Sequence, residues 1–294
     1  MFQYIEPVFR PPSEARSLIL QVTNGCSWNQ CTFCDMYTQP QKKFRARPEE
    51  DVLQEILQAA ALGPRFDKVF LADGDAMVLP TRRLVNLLTA IRQHLPWVKR
   101  VGAYCLPRNI RKKSVEELQL MQSLGLGIVY VGAESGDDHV LQCISKGETY
   151  QSTLDALLKI HQASITSSVM VLNGMGGTQF SDDHARHSAE LMNEAQPNFL
   201  STLVVSYPLG DQRVQEGFGG AYQLPSQHEL FVELRTFIAT LSLSNTVFRS
   251  DHASNYLPLK GVLGKDKESL LAQLDAAIHT PNRIALRKEW QRGL

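Results

Sequence analysis

Apolar residues gather in six short, nearly unbroken runs, at 17–23, 68–72, 98–104, 127–133, 167–172 and 199–205. Unbroken rather than alternating hydrophobicity marks strands covered on both faces, as in a parallel sheet. The stretches between them carry helical periodicity and helix-end signals. Pro48 opens a predicted helix with Glu49, Glu50 and Asp51 in its first turn, where acids complement the helix dipole, and Gly63-Pro64 ends it. A second helix is predicted over 81–95, with Leu84, Leu87, Leu88 and Ile91 on one face. Ser114 with Glu117 three residues later forms an N-cap signal for a helix reaching Leu124. Helices over 137–144, 152–163 and 181–195 complete the alternation.

Six strand–helix units in strict alternation predict an α/β fold with a parallel sheet and right-handed crossovers. Six units suit a partial (β/α)6 TIM-like barrel better than a closed barrel of eight. A flat doubly wound sheet would want a glycine-rich phosphate turn after its first strand. Cysteines stand there instead. The expected organisation is a proline-rich N-terminal arm over 1–16, the barrel over 17–205, and a C-terminal extension over 206–294. That extension opens on a loop-rich stretch holding Gly210, Gly217, Gly219 and Gly220.

Three of the five cysteines fall in Cys26-Ser27-Trp28-Asn29-Gln30-Cys31-Thr32-Phe33-Cys34. Thiolates are soft ligands for zinc, copper(I) or iron–sulfur clusters. Three on one loop can hold three irons of a cubane and leave the fourth open to an amino and a carboxylate group. Zinc can take Cys31 and Cys34, but no second Cys/His pair follows at finger-like spacing. Disulfides are not expected without a secretory signal. A thioredoxin-like Cys-x-x-Cys leaves Cys26 without a role.

This stretch resembles the cluster loop of radical S-adenosylmethionine (SAM) enzymes, and the resemblance extends over about residues 10 to 205. The family's usual spacing is three residues, then two, with an aromatic before the last cysteine. Here the spacing is four, then two, with Phe33 in the aromatic position. The resemblance implies a [4Fe–4S] cluster on Cys26, Cys31 and Cys34, with SAM as second cofactor. It implies an electron donor such as flavodoxin or ferredoxin, and abstraction of hydrogen from a substrate by a 5′-deoxyadenosyl radical. Asp73-Gly74-Asp75 stands where the family usually has Gly-Gly-Glu, which implies contact with the SAM amino group. Glu134 and Ser135 align with contacts to the ribose or methionine part. Lys146 aligns loosely with a basic residue facing the methionine carboxylate, or is a surface lysine. The nearest branch holds oxygen-independent coproporphyrinogen oxidase and the elongator-like and methylthiotransferase radical domains.

In parallel α/β folds chemistry collects at the C-terminal ends of strands. After the third strand, Tyr104 and Arg108 are candidate substrate contacts. Cys105 reads as a small buried filler, and Arg111, Lys112 and Lys113 as a solvated run. After the fifth strand, Asn173-Gly174-Met175-Gly176-Gly177 suits close backbone approach to adenine or substrate, or is a flexible connection. Near the C-terminus, Arg249, Ser250, Asp251, His252, Ser254, Asn255 and Tyr256 crowd together after an apolar run. They form either a polar wall at the barrel mouth or a satisfied turn. In the first reading His252 and Tyr256 are acid/base or hydrogen-atom partners and Asn255 a substrate contact. His184 and His187, at i and i+3 with no third ligand, are expected on the surface.

Composition narrows the function. Formal net charge is zero, which gives no bulk attraction to nucleic acid or membrane. No apolar run approaches the roughly 20 residues of a membrane span, and the N-terminus lacks a signal-peptide pattern. A cytoplasmic enzyme acting on a small-molecule or cofactor-precursor substrate is expected. A tRNA modification enzyme is the alternative, using Lys42, Lys43, Arg45, Arg47 and Arg111 to Lys113 on phosphates. A non-catalytic iron–sulfur carrier is the third reading.

Overall fold

The computed structural model describes residues 2–293. In its first part the chain forms β1 (Leu18–Gln21), β2 (Thr23–Asn24), β3 (Arg45–Ala46), α1 (Glu49–Ala61), β4 (Lys68–Ala72), α2 (Thr81–His94), β5 (Arg100–Cys105), α3 (Pro107–Arg111), α4 (Val115–Ser123) and β6 (Leu126–Glu134). It continues through α5 (Asp138–Cys143), α6 (Tyr150–Gln162), β7 (Thr166–Asn173), α7 (Ser181–Ala195), β8 (Phe199–Val204), α8 (Gln212–Gly217), α9 (Gln227–Thr240), β9 (Val247–Ser250), β10 (Leu259–Val262) and α10 (Lys267–His279).

The main sheet has the order β1-β4-β5-β6-β7-β8-β9-β10 and is open, with β1 and β10 at its edges. All six expected strands are present. The sheet goes one parallel strand further, because β9 pairs parallel with β8, and β10 then turns back antiparallel. Phe248 in β9 is wholly buried, so this short run is core rather than loop. The chain divides into two compact units. One is built from 2–29, 36–131 and 155–167, the other from 30–35, 132–154 and 168–293.

In the first unit β1, β4, β5 and β6 pair in parallel, with Leu20 opposite Leu71, Phe70 opposite Gly102 and Ala103 opposite Val129. Leu20, Phe70, Leu71, Ala103 and Val129 are all fully buried, as their unbroken hydrophobicity requires. The helix α2 buries Leu84, Leu88 and Ile91. The capping box of α4 is formed, with Glu117 N donating to Ser114 Oγ at 3.2 Å and Ser114 N to Glu117 Oε2 at 2.7 Å. Phe70, Tyr104 and Tyr130 meet edge to face, at centroid separations of 5.0 to 6.1 Å. The N-terminal arm supplies Glu14 to this cluster. Its buried carboxylate accepts from Tyr130, Ser17 and Arg100.

In the second unit α9 packs against both α7 and α10. Ser226 and Glu229 form the capping box that starts α9. An apolar cluster of Val140, Leu141, Ile144, Met175, Val205, Val214, Phe218 and Tyr222 has Phe33 packed against it. Among the described residues no helix is long and apolar enough to cross a membrane.

Candidate functional site

The first part of the cysteine loop is anchored within the first unit. β2 pairs with β3, Thr23 opposite Ala46 and Asn24 opposite Arg45, so the loop leaves from a tight ribbon. Asn24 Nδ2 donates to the carbonyls of Gln41 at 2.6 Å and Lys43 at 2.9 Å. Gly25 has φ +69°, and a Cβ there would lie 1.9 Å from the Lys42 carbonyl oxygen, so only glycine fits.

Asp73, at the end of β4, is fully buried and belongs to this scaffold. Its Oδ2 pairs with Lys42 Nζ and accepts from Gln21 Nε2 at 3.3 Å and Gly25 N at 3.4 Å. Lys42 Nζ also donates to the Ile5 carbonyl at 2.8 Å, which ties in the N-terminal arm. The ring of Tyr37 lies over Gly74, where a Cβ would come within 2.5 Å of it. Asp75 accepts from Ser27 Oγ of the cysteine loop and from Asn109 Nδ2 at 2.6 Å, all through Oδ2. Burial raises the Asp75 pKa above the ordinary carboxylate value, and the bonds from Ser27 and Asn109 oppose that rise. The Oδ1 atoms of Asp73 and Asp75 are buried without a hydrogen-bond partner. Arg108 stacks 3.9 Å from the ring centre of Trp28. The half-buried Tyr104 packs on Phe70 and Tyr130, and burial raises its pKa.

The rest of the loop is anchored within the second unit. Arg213 of α8 donates to the Cys31 carbonyl at 3.3 Å and the Cys34 carbonyl at 2.9 Å, and pairs with Asp35. Thr32 N donates to the Ile144 carbonyl at 2.9 Å. At the end of β6, Glu134 takes φ +65° and accepts from Lys146 Nζ at 2.9 Å. Lys146 is buried rather than placed on the surface. Ser135, also buried, lies 2.8 Å from His184 Nδ1, while His184 Nε2 donates to the Leu172 carbonyl at 3.0 Å. His184 is thus a core residue, contrary to the expected surface position. His187 is half-exposed and meets Asp137 at 2.6 Å.

The turn after β7 is tied down rather than slack. Glu233 of α9 accepts from Asn173 Nδ2 at 2.7 Å, Gly174 N at 2.5 Å and Ser181 Oγ at 2.6 Å. After β9, Asn255 accepts from Val204 N at 2.8 Å and donates to the Thr202 carbonyl at 2.8 Å. His252 Nδ1 accepts from Ser254 N at 3.1 Å. Tyr256 donates to Glu289 at 2.9 Å beneath the Arg292 guanidinium. The described structure therefore gives these three residues partners in the strand ends and the C-terminal segment.

Ser27, Asn109, Arg213 and Glu233 escaped sequence reading. Ser27 lay inside the recognised motif, and a hydroxyl beside three thiols was the available signal. The other three act on partners far along the chain and carry no local signature.

None of the five cysteines forms a disulfide, and Cys26, Cys31 and Cys34 are half-buried. Cys105 is buried, as expected of a filler. Among the described residues no three His, Cys, Asp or Glu side chains converge as a single-ion site requires. A single zinc at about 2.3 Å from each sulfur demands that convergence. A cubane takes each thiolate on a different iron, so its sulfurs converge on one core at wider spacing than a single ion allows. Three soft donors on an irregular loop fit a cluster, and the Asp75 carboxylate that accepts from Ser27, next to Cys26, keeps a buried oxygen with no donor that fits an ammonium-bearing ligand.

Comparison with known proteins agrees. The solved chains most informative for the fold are coproporphyrinogen III oxidase HemN from Escherichia coli (TM-score 0.59, 16% identity, 76% of this chain and 53% of that one) and the methyltransferase TsrM from Kitasatospora setae (0.57, 17%, 88% and 59%). At these identities they support the fold alone. Among curated proteins, the methylthiotransferase candidate MJ0865 of Methanocaldococcus jannaschii is 25% identical over 145 residues, and 4′-phospho-dehydrooxetanocin synthase of Priestia megaterium 22% over 157. Each match takes in 48% of this chain, which spans only 31% and 21% of the length of those relatives. The profile of the Radical SAM superfamily matches residues 20–192, from β1 through the cysteine loop into α7. With more than half of its length matched and the cysteines inside the match, this chain belongs to the radical SAM superfamily, enzymes that work with a [4Fe–4S] cluster and S-adenosylmethionine.

Proposed function

We propose that this chain catalyses a radical SAM reaction on a small-molecule or cofactor-precursor substrate, with Cys26, Cys31 and Cys34 as the cluster ligands. When bound, the cluster supplies the electron for reductive cleavage of SAM and thereby the removal of a hydrogen atom from substrate. The chain's own residues hold and orient. The buried Oδ1 of Asp75 is an acceptor for the SAM amino group, and Gly74 keeps the turn flat beneath Tyr37. Glu134, held by Lys146, and the Asn173-Gly174 turn, held by Glu233, frame the remaining cofactor contacts. An external one-electron donor of the flavodoxin or ferredoxin kind fits this chemistry, as does a reducing compartment such as the cytoplasm.

One observation favours a small substrate over tRNA. A phosphate backbone needs exposed cations, yet three of the seven cations in the two basic runs are held by the scaffold. Lys42 pairs with Asp73, Arg47 with Glu55 at 2.9 Å, and Lys113 donates to the Leu79 carbonyl at 3.0 Å. Lys43, Arg45, Arg111 and Lys112 remain exposed. A carrier would bind iron without turnover. The test is anaerobic reconstitution, reduction with dithionite, and assay of 5′-deoxyadenosine from SAM. Product from the wild type, and loss of both iron and product in Cys26→Ala, Cys31→Ala and Cys34→Ala, is expected. A fully reduced cluster that yields no product leaves the carrier.

A further inference from the structure

We propose that Arg213 is a positioning residue for the cluster: it fixes the backbone of two ligand residues and holds a positive charge beside them. The proposal rests on the assignment of Cys31 and Cys34 as ligands.

The guanidinium has five donors in a rigid planar fork. Arg213 spends three of them on the Cys31 carbonyl (3.3 Å), the Cys34 carbonyl (2.9 Å) and the Asp35 carboxylate. Cys34 N also donates to the Cys31 carbonyl at 3.3 Å, which closes the turn between the two cysteines. Asp35 is held from a second side by Leu209 N at 3.3 Å. The helix α8 that carries Arg213 is itself seated. A Cβ on Gly217 would lie 2.0 Å from the Cys143 carbonyl oxygen, so α8 ends hard against the end of α5. Ile144, one residue further, holds Thr32 N at 2.9 Å. The segment from Cys31 to Asp35 is thereby clamped from both sides, and the direction of each ligand side chain follows from its fixed backbone.

The charge has its own consequence. A thiolate-ligated cluster gains negative charge on reduction, and nearby net charge and hydrogen bonds set its potential. The Arg213 guanidinium offsets the Asp35 carboxylate one residue beyond Cys34, and its loss would leave that negative charge uncompensated beside the ligands, which disfavours the reduced state. Lysine in its place keeps the charge but loses the fork, which separates the two effects.

The experiment compares reconstituted wild type, Arg213→Lys and Arg213→Gln by EPR-monitored redox titration and by iron release to a chelator. Arg213→Gln should show a more negative midpoint and iron release at least about tenfold faster, the loss of charge-assisted hydrogen bonds. Arg213→Lys should keep a near wild-type midpoint while releasing iron faster. A wild-type midpoint and release rate in Arg213→Gln would overturn the proposal while the cluster reading stands. A wild type that takes up no iron overturns the ligand assignment instead. In that event the clamp is read from apo-protein, where Arg213→Gln should speed alkylation of Cys31 and Cys34 but not of Cys105. Unchanged alkylation overturns the clamp.

Discussion

Replacing Lys42 with methionine should be among the most damaging single changes in this chain. The ammonium and Asp73 are both fully buried. The substitution keeps most of the side-chain volume and removes only the charge and its hydrogen bonds. Asp73 would be left with Gln21 Nε2 and Gly25 N, at 3.3 and 3.4 Å, while its Oδ1 already lacks a partner. An uncompensated buried carboxylate of this kind costs about 3–5 kcal/mol. The Ile5 carbonyl loses its ammonium donor as well. Urea denaturation of reduced apo-protein, followed by tryptophan fluorescence, measures the loss. The double variant Lys42→Met/Asp73→Asn should recover a large part of it, because removing both charges is far less costly than stranding one. A loss below about 1 kcal/mol in Lys42→Met, or no recovery in the double variant, would refute the idea that this pair anchors the loop.

Further outcomes follow from other contacts. Gly74→Ala drives a methyl to 2.5 Å from the Tyr37 ring and should cost about 1–3 kcal/mol in the same denaturation assay, with partial rescue by Tyr37→Ala. Glu233→Ala strips the acceptor from Asn173, Gly174 and Ser181, and should lower stability by about 1–3 kcal/mol and expose the 173–177 turn to limited proteolysis. Burial and Arg287 hold the His252 pKa below the ordinary histidine value. Its contribution to stability is therefore present above that ordinary value and lost as pH falls through the lowered one. Urea midpoints measured across mildly acidic pH should drop less steeply in His252→Asn than in wild type.

The strands of the first unit were legible because they are buried on both faces and so read as apolar blocks, as Lys68–Ala72 and Arg100–Cys105 do, whereas β7 and β8 alternate buried with partly exposed positions. The cysteine loop was legible from spacing. What stayed hidden depends on contacts far along the chain. β9 has the short pattern Val247, Phe248, Arg249, Ser250, with Arg249 exposed, and pairing with β8 and β10 makes it a strand. The run from Lys42 to Arg47 reads as a uniform basic patch, yet its two ends turn inward to Asp73 and Glu55. His184 lies on a helix rich in acids, and its burial follows from Ser135 and the Leu172 carbonyl, neither of which a local window contains. The anchoring of Ser27 by Asp75 and of Cys34 by Arg213 is invisible for the same reason.

The sequence separation of 179 between Cys34 and its clamp carries a consequence for biogenesis. On the ribosome the three thiols leave the exit tunnel while α8 has yet to be translated. A metallocluster offered then would meet a loop without its clamp, so the proposed ligand geometry would be complete only on the finished chain. A truncated product ending before residue 213 should emerge colourless from cells that mature the full-length protein brown.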